Sequence, residues 1–132
     1  MNDFVEYYLQ KLRQLDHEDA FFSLVEADHS IVPQLIEAYM RETDWDVRAT
    51  IIEVIWQHRL PTSLDFLADA LRDEHPKIWK AALDGIVTIG GKAGKRIFEK
   101  ERERLLGNPD RTGVRLQWIE KAIEQLNNAA LD

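Results

Sequence analysis

Slid along itself by 31 residues, this chain finds its own echo. "LIEAYMRETDWDVRATIIEVIW" from Leu35 lies over "FLADALRDEHPKIWKAALDGIV" from Phe66, pairing Ile36 with Leu67, Met40 with Leu71, Val47 with Ile78, Ile52 with Leu83 and Ile55 with Ile86. A third copy follows after a longer internal loop, with "VRLQWIEKAI" from Val114 over "IWKAALDGIV" from Ile78. A unit of this length cannot bury its apolar face alone, so such copies must stack on one another. The register divides the chain into a degenerate cap over 1–29 and repeats over 30–61, 62–91 and 92–130.

Within each copy the apolar residues recur at helical spacing, and no convincing strand alternation occurs. The pattern predicts an all-α fold of eight helices, at about 2–15, 18–28, 30–42, 46–58, 62–73, 76–89, 92–106 and 112–130. Pro61 and Thr62 divide the fourth from the fifth, and Pro76 suits the first turn of the sixth. Gly90 and Gly91 end the sixth, and "GNPDRTG" separates the last two. Asp44 and Thr62 are candidate N-caps.

A length of 132 residues bounds this to one domain. No apolar run approaches the roughly 20 residues that span a bilayer. The opening "MNDFVEYYLQ" has neither a basic leader nor a continuous apolar stretch, so the expected location is the cytoplasm. Without cysteine there is no disulfide framework, thiolate zinc site or thiol nucleophile. Residues 1–75 carry a net charge of −10 and residues 76–132 a net charge of +3. An acidic majority repels nucleic acid phosphates and draws in a basic partner.

"DWDVRATIIEVI" (44–55), "HPKIWKAALDGI" (75–86) and "DRTGVRLQWIEKAI" (110–123) carry a resemblance to the HEAT-like helical repeats. They echo that family's Asp, Val-Arg and small-apolar positions along the second helix of each pair. The resemblance implies an α/α superhelix of about four antiparallel pairs, with the second helices lining a concave face. The family arginine is present as Arg48 and Arg115 but replaced by Trp79, which puts a continuous Asp-to-Arg ladder in doubt.

Several motifs invite chemistry and then fail its requirements. "GGKAGKR" looks like a phosphate loop, but a Walker loop needs glycine where Ile89 stands and Ser or Thr where Arg96 stands. Gly90 and Gly91 fit a left-handed helix end instead. "HEDAF" begins like a zincin motif and places Phe21 where the second histidine is needed. The four histidines would matter only if they converged, and no metal or cofactor site is readable. "FEKERERLL" alternates sign as a solvated helix face does. No nucleophile context stands out, so no catalytic residue and no enzyme are expected.

One feature is patterned across copies. Glu53, Asp84 and Glu120 share a register on successive second helices, with Glu124 one turn beyond Glu120. They are offset from the expected core stripes of Val47, Ile51 and Ile55, then Ile78, Ala82 and Ile86, then Val114, Trp118 and Ala122. The column is either an acidic ribbon for a partner or a solvated face. Trp45, between Asp44 and Asp46, and Trp79, in place of the repeat arginine, are candidate interface anchors, with packing between repeats as the alternative.

The expected function is therefore protein binding without catalysis. "KAALDGIVTIGG" and "WIEKAIEQL" are similar to bacterial immunity proteins of HEAT-like type, which implies neutralisation of a basic toxin domain through Asp44, Trp45, Asp46, Glu53, Trp79, Asp84, Glu120 and Glu124. Alternatives within the same resemblance are a scaffold or lyase-like adaptor for a chromophore or enzyme, and a DNA glycosylase, which the acidic face disfavours.

Overall fold

The computed structural model describes residues 3–14, 17–108 and 113–131. Among these residues there are helices and turns and no strand: α1 (Asp3–Leu12), α2 (Glu18–Glu26), α3 (Val32–Arg41), α4 (Trp45–Gln57), α5 (Leu64–Leu71), α6 (Pro76–Ile89), α7 (Gly91–Gly107) and α8 (Val114–Leu131). Short 3₁₀ turns, His29–Ile31 and Pro61–Ser63, lead into α3 and α5. Most of "GNPDRTG", the predicted break before α8, lies outside the described residues.

The helices pack as antiparallel-type pairs, α1 with α2, α3 with α4, α5 with α6 and α7 with α8. The second helices form a continuous layer, α2 on α4, α4 on α6 and α6 on α8. The offset-31 repeat demanded such stacking, and α4 shows why. Ile51, Ile52, Val54 and Ile55 are all buried, too wide an apolar sector for one neighbour but the right one for a helix held between α2, α3 and α6.

Helix ends follow local chemistry. Asp44 Oδ1 accepts the Val47 amide at 3.0 Å and caps α4 as expected. Thr62 does not cap α5, because the chain first makes the Pro61–Ser63 turn, and α5 begins after Ser63 without a side-chain cap. At α6 the cap is His75, whose Nδ1 accepts the Lys77 amide at 3.2 Å. Gly90 and Gly91 have φ of 68° and 72°, the left-handed conformation that ends α6 and starts α7 with no phosphate loop between them.

Two helix crossings depend on glycine. A Cβ on Gly85 would stand 2.7 Å from Trp56 Cβ and Cγ, so the α4–α6 approach exists only because Gly85 has none. A Cβ on Gly94 would lie 3.2 Å from the Ile86 carbonyl oxygen, where α7 turns back onto α6.

Past the end of α4, Arg59 takes φ of 54°. A side chain in this region costs roughly 1–2 kcal/mol, and glycine's greater freedom in the unfolded chain returns roughly 0.4–1 kcal/mol of that. Arg59→Gly is expected to stabilise the protein by about 0.5–1 kcal/mol, measured as a raised urea midpoint at unchanged slope.

Candidate functional site

Along the second-helix layer runs an open groove of about 650 Å³ whose walls come mainly from α4 and α6. Asp46, Thr50 and Glu53 of α4 face Lys77, Lys80, Ala81 and Asp84 of α6 across it. Both sets recur at three- to four-residue spacing, so each helix presents one stripe to the groove. Asp44, Arg13 and His17 close one end. A second cavity of about 700 Å³ continues from Asp84 to α8, where Trp118, Lys121 and Glu124 line it with Gln117, Gln125 and Asn128.

Charges in the groove are unequally satisfied. Asp46 pairs with Lys77 across the two helices, and that hydrogen bond and charge hold its carboxyl below the ordinary carboxylate range. Arg13 donates to Glu42 Oε1 from Nε at 3.0 Å and from Nη2 at 2.6 Å. Lys80 extends its ammonium over Trp118, 4.7 Å from the ring centroid. Among the described residues, no such partner reaches Glu53 or Asp84.

Both free carboxyls titrate high. The helix walls limit hydration of Glu53 and raise its pKa, and the Asp84 charge raises it further; the same crowding raises Asp84. A raised pKa means that the folded protein binds more protons than the unfolded chain above the ordinary carboxylate range. Their contribution to stability is then greatest below that range and is lost as pH rises through the raised values. Glu53→Gln and Asp84→Asn are expected to be more stable than wild type at neutral pH. That advantage should vanish in thermal melts near pH 3.5.

The eight residues expected at a binding surface are only partly brought together. Asp44, Asp46, Glu53 and Asp84 share the first groove, and Glu124 shares the second with Asp84. Glu120 lines neither and points elsewhere on α8. Trp45 is 45% exposed, stacked on the His75 ring at 4.5 Å between centroids, and lines neither groove. Trp79 is only 4% exposed, so it packs between repeats and cannot anchor a partner.

Glu120 and Trp118 depart from the expected register for one reason. On α8 the buried set is Arg115, Ile119, Ala122 and Ile123, whereas Val114 and Trp118 are 40% and 38% exposed. The expected core stripe of Val114 and Trp118 is off by one residue, about 100° around the helix. The 3–4–3 spacing of Leu116, Ile119, Ile123 and Leu126 carries the observed register, and the alignment over α6 masked it. The lysines were legible too, because Lys77 and Lys80 precede Asp84 by seven and four residues on one stripe.

Trp79 also alters the arginine ladder. Arg115 places its guanidinium 5.2 Å from the Trp79 centroid, and Trp118 meets Trp79 edge-on at 5.8 Å. Arg48 lies 4.3 Å from the Tyr39 centroid and 5.2 Å from that of Trp45. At both positions the guanidinium lies against aromatic faces.

Stacked helix pairs, a second-helix groove and the 31-residue period agree with one comparison. A family model for HEAT repeats matches residues 32–124. The chain belongs to the HEAT-repeat family. A search of curated proteins finds no match to it. HEAT repeats generally serve protein–protein interaction through the extended surfaces that their stacking creates. No described helix is long and apolar enough to cross a membrane.

Proposed function

We propose that this HEAT-repeat protein is a non-catalytic binding module whose second-helix groove receives a cationic segment of a protein partner. Its most concrete form is an immunity-type protein that occludes the basic site of a toxin domain. The observation that carries the reading is Glu53 beside Asp84 where the groove meets the second cavity, two exposed carboxylates with no paired cation among the described residues. An incoming lysine or arginine would supply that charge and lower both pKa values. Asp46 contributes less, because Lys77 already neutralises it.

The groove is a mosaic rather than a uniform acidic ribbon, since Lys77, Lys80 and Lys121 punctuate it. Such patterning favours a partner with spaced charges over a polyanion or a uniform polycation. The test starts by capturing the partner from native lysate with the full chain and identifying it by mass spectrometry. Affinity is then compared for wild type and Glu53→Lys/Asp84→Lys. Equal affinity of the two, or an acidic partner surface, removes the proposal.

A further inference from the structure

Folding brings together two histidines that the binding groove does not use. His29 opens the turn before α3 and His58 caps the end of α4. Their Nδ1 atoms stand 2.8 Å apart and their ring centroids 5.0 Å apart, so the two nitrogens meet head-on in one N–H···N hydrogen bond. His58 is 5% exposed and held from behind, with Nε2 3.0 Å from the Leu24 carbonyl oxygen at the end of α2. A carbonyl only accepts, so His58 Nε2 carries a proton and donates it. In the neutral pair His58 Nδ1 is therefore the acceptor and His29 Nδ1–H the donor.

Such a bond has room for one proton between the two Nδ1 atoms. A first added proton goes to Nε2 of His29, an exposed residue, and leaves the bond in place with a charged donor. A second has only His58 Nδ1 left, where it sets two N–H groups against each other and buries one cation beside another. The doubly charged pair has to come apart.

Few charges surround the pair to offset this. Asp28 precedes His29, and its carboxyl is lowered first by the Ser30 amide and less by the two rings. Glu26 in the last turn of α2 and Arg59 just past α4 are exposed and make no ion pair among the described residues. The first turn of α3 and the last turn of α6, which flanks α4, carry no charged side chain.

We propose that His29 and His58 form an acid-sensitive clasp, closed while the pair holds at most one added proton and opened when both rings are charged. It fastens the end of α2, the entrance to α3 and the end of α4, where the N-terminal cap meets the first repeat. The open form binds one more proton than the closed form. The clasp's contribution to stability is then full at neutral pH and is lost as pH falls through the second protonation. α2 begins just after His17, which with Arg13 closes one end of the binding groove, so opening loosens that end as well.

The test compares the full chain with His29→Ala at pH about 7.5 and about 4.5, which bracket the ordinary titration range of imidazole. His29 is exposed, so the substitution removes the bond and leaves the core in place. At the higher pH wild type should melt about 4 °C above His29→Ala, and at the lower pH the two should melt together. His17→Ala, outside the pair, should keep one constant offset from wild type. Hydrogen-exchange protection in wild type should fall at the lower pH over residues 20–30 and 55–60 and hold in α6 and α8. Because His58 is buried, its part is read in wild type by long-range 1H–15N NMR of the ring nitrogens, with Nε2–H on His58 and Nδ1–H on His29 expected at the higher pH. An offset of His29→Ala that is equal at both pH values, protection lost evenly along the chain, or His29 in the Nε2–H tautomer would each overturn the clasp.

Discussion

Gly85→Val is expected to destabilise the protein by about 3 kcal/mol or more, at the upper end of what overpacking costs. Even a bare Cβ at this position meets Trp56 Cβ, Cγ and Cδ1 at 2.7–2.8 Å. Those atoms are the root of a large side chain on α4, so they cannot swing aside as the tip of a lysine could. The helices must separate, and α4 and α6 hold the middle of the stack, so contacts on both sides are lost with them. Urea unfolding would read this as a lowered midpoint. Trp56→Ala in the same background should restore part of the loss, giving a coupling of about 0.5–3 kcal/mol. Strictly additive effects would show that the contact does not limit helix approach.

The second large effect is on binding. Glu53→Lys/Asp84→Lys is expected to weaken the captured partner at least a hundredfold and to flatten the salt dependence of its association rate. The substitutions replace two unpaired carboxylates with two ammonium groups where the groove meets the second cavity. Attraction becomes repulsion at a site the partner must desolvate. Glu120→Lys changes charge on α8 outside both cavities and serves as a control, at half the change in net charge. If Glu120→Lys weakened binding as much as the double variant, the effect would belong to net charge and the groove would have no special role.

Helix pairing was largely legible before any coordinates. Pro76, Gly90, Gly91 and Asp44 act through their own backbone preferences and nearest amides, so their roles travel with the sequence. Thr62 failed as a cap because Pro61 offered the competing 3₁₀ turn. The candidate site was legible only in part, since a register shared between copies places residues on equivalent faces only where their surroundings are equivalent. Glu53 and Asp84 sit on helices with a second helix on either side, and they meet. α8 packs chiefly on α7 and α6, with a second helix on one side, and it settles with Ile119 and Ile123 inward and Trp118 outward.

The sequence by itself determined an all-α stack of paired helices, because the apolar period, repeated three times, and the placement of glycine and proline are local properties. The tertiary structure alone decided which charges remain unpaired, that Trp79 is buried and that His29 meets His58. Each of these depends on the rotation of one helix against another, and a change of about 100° from a one-residue step exchanges a core position for a solvent-facing one.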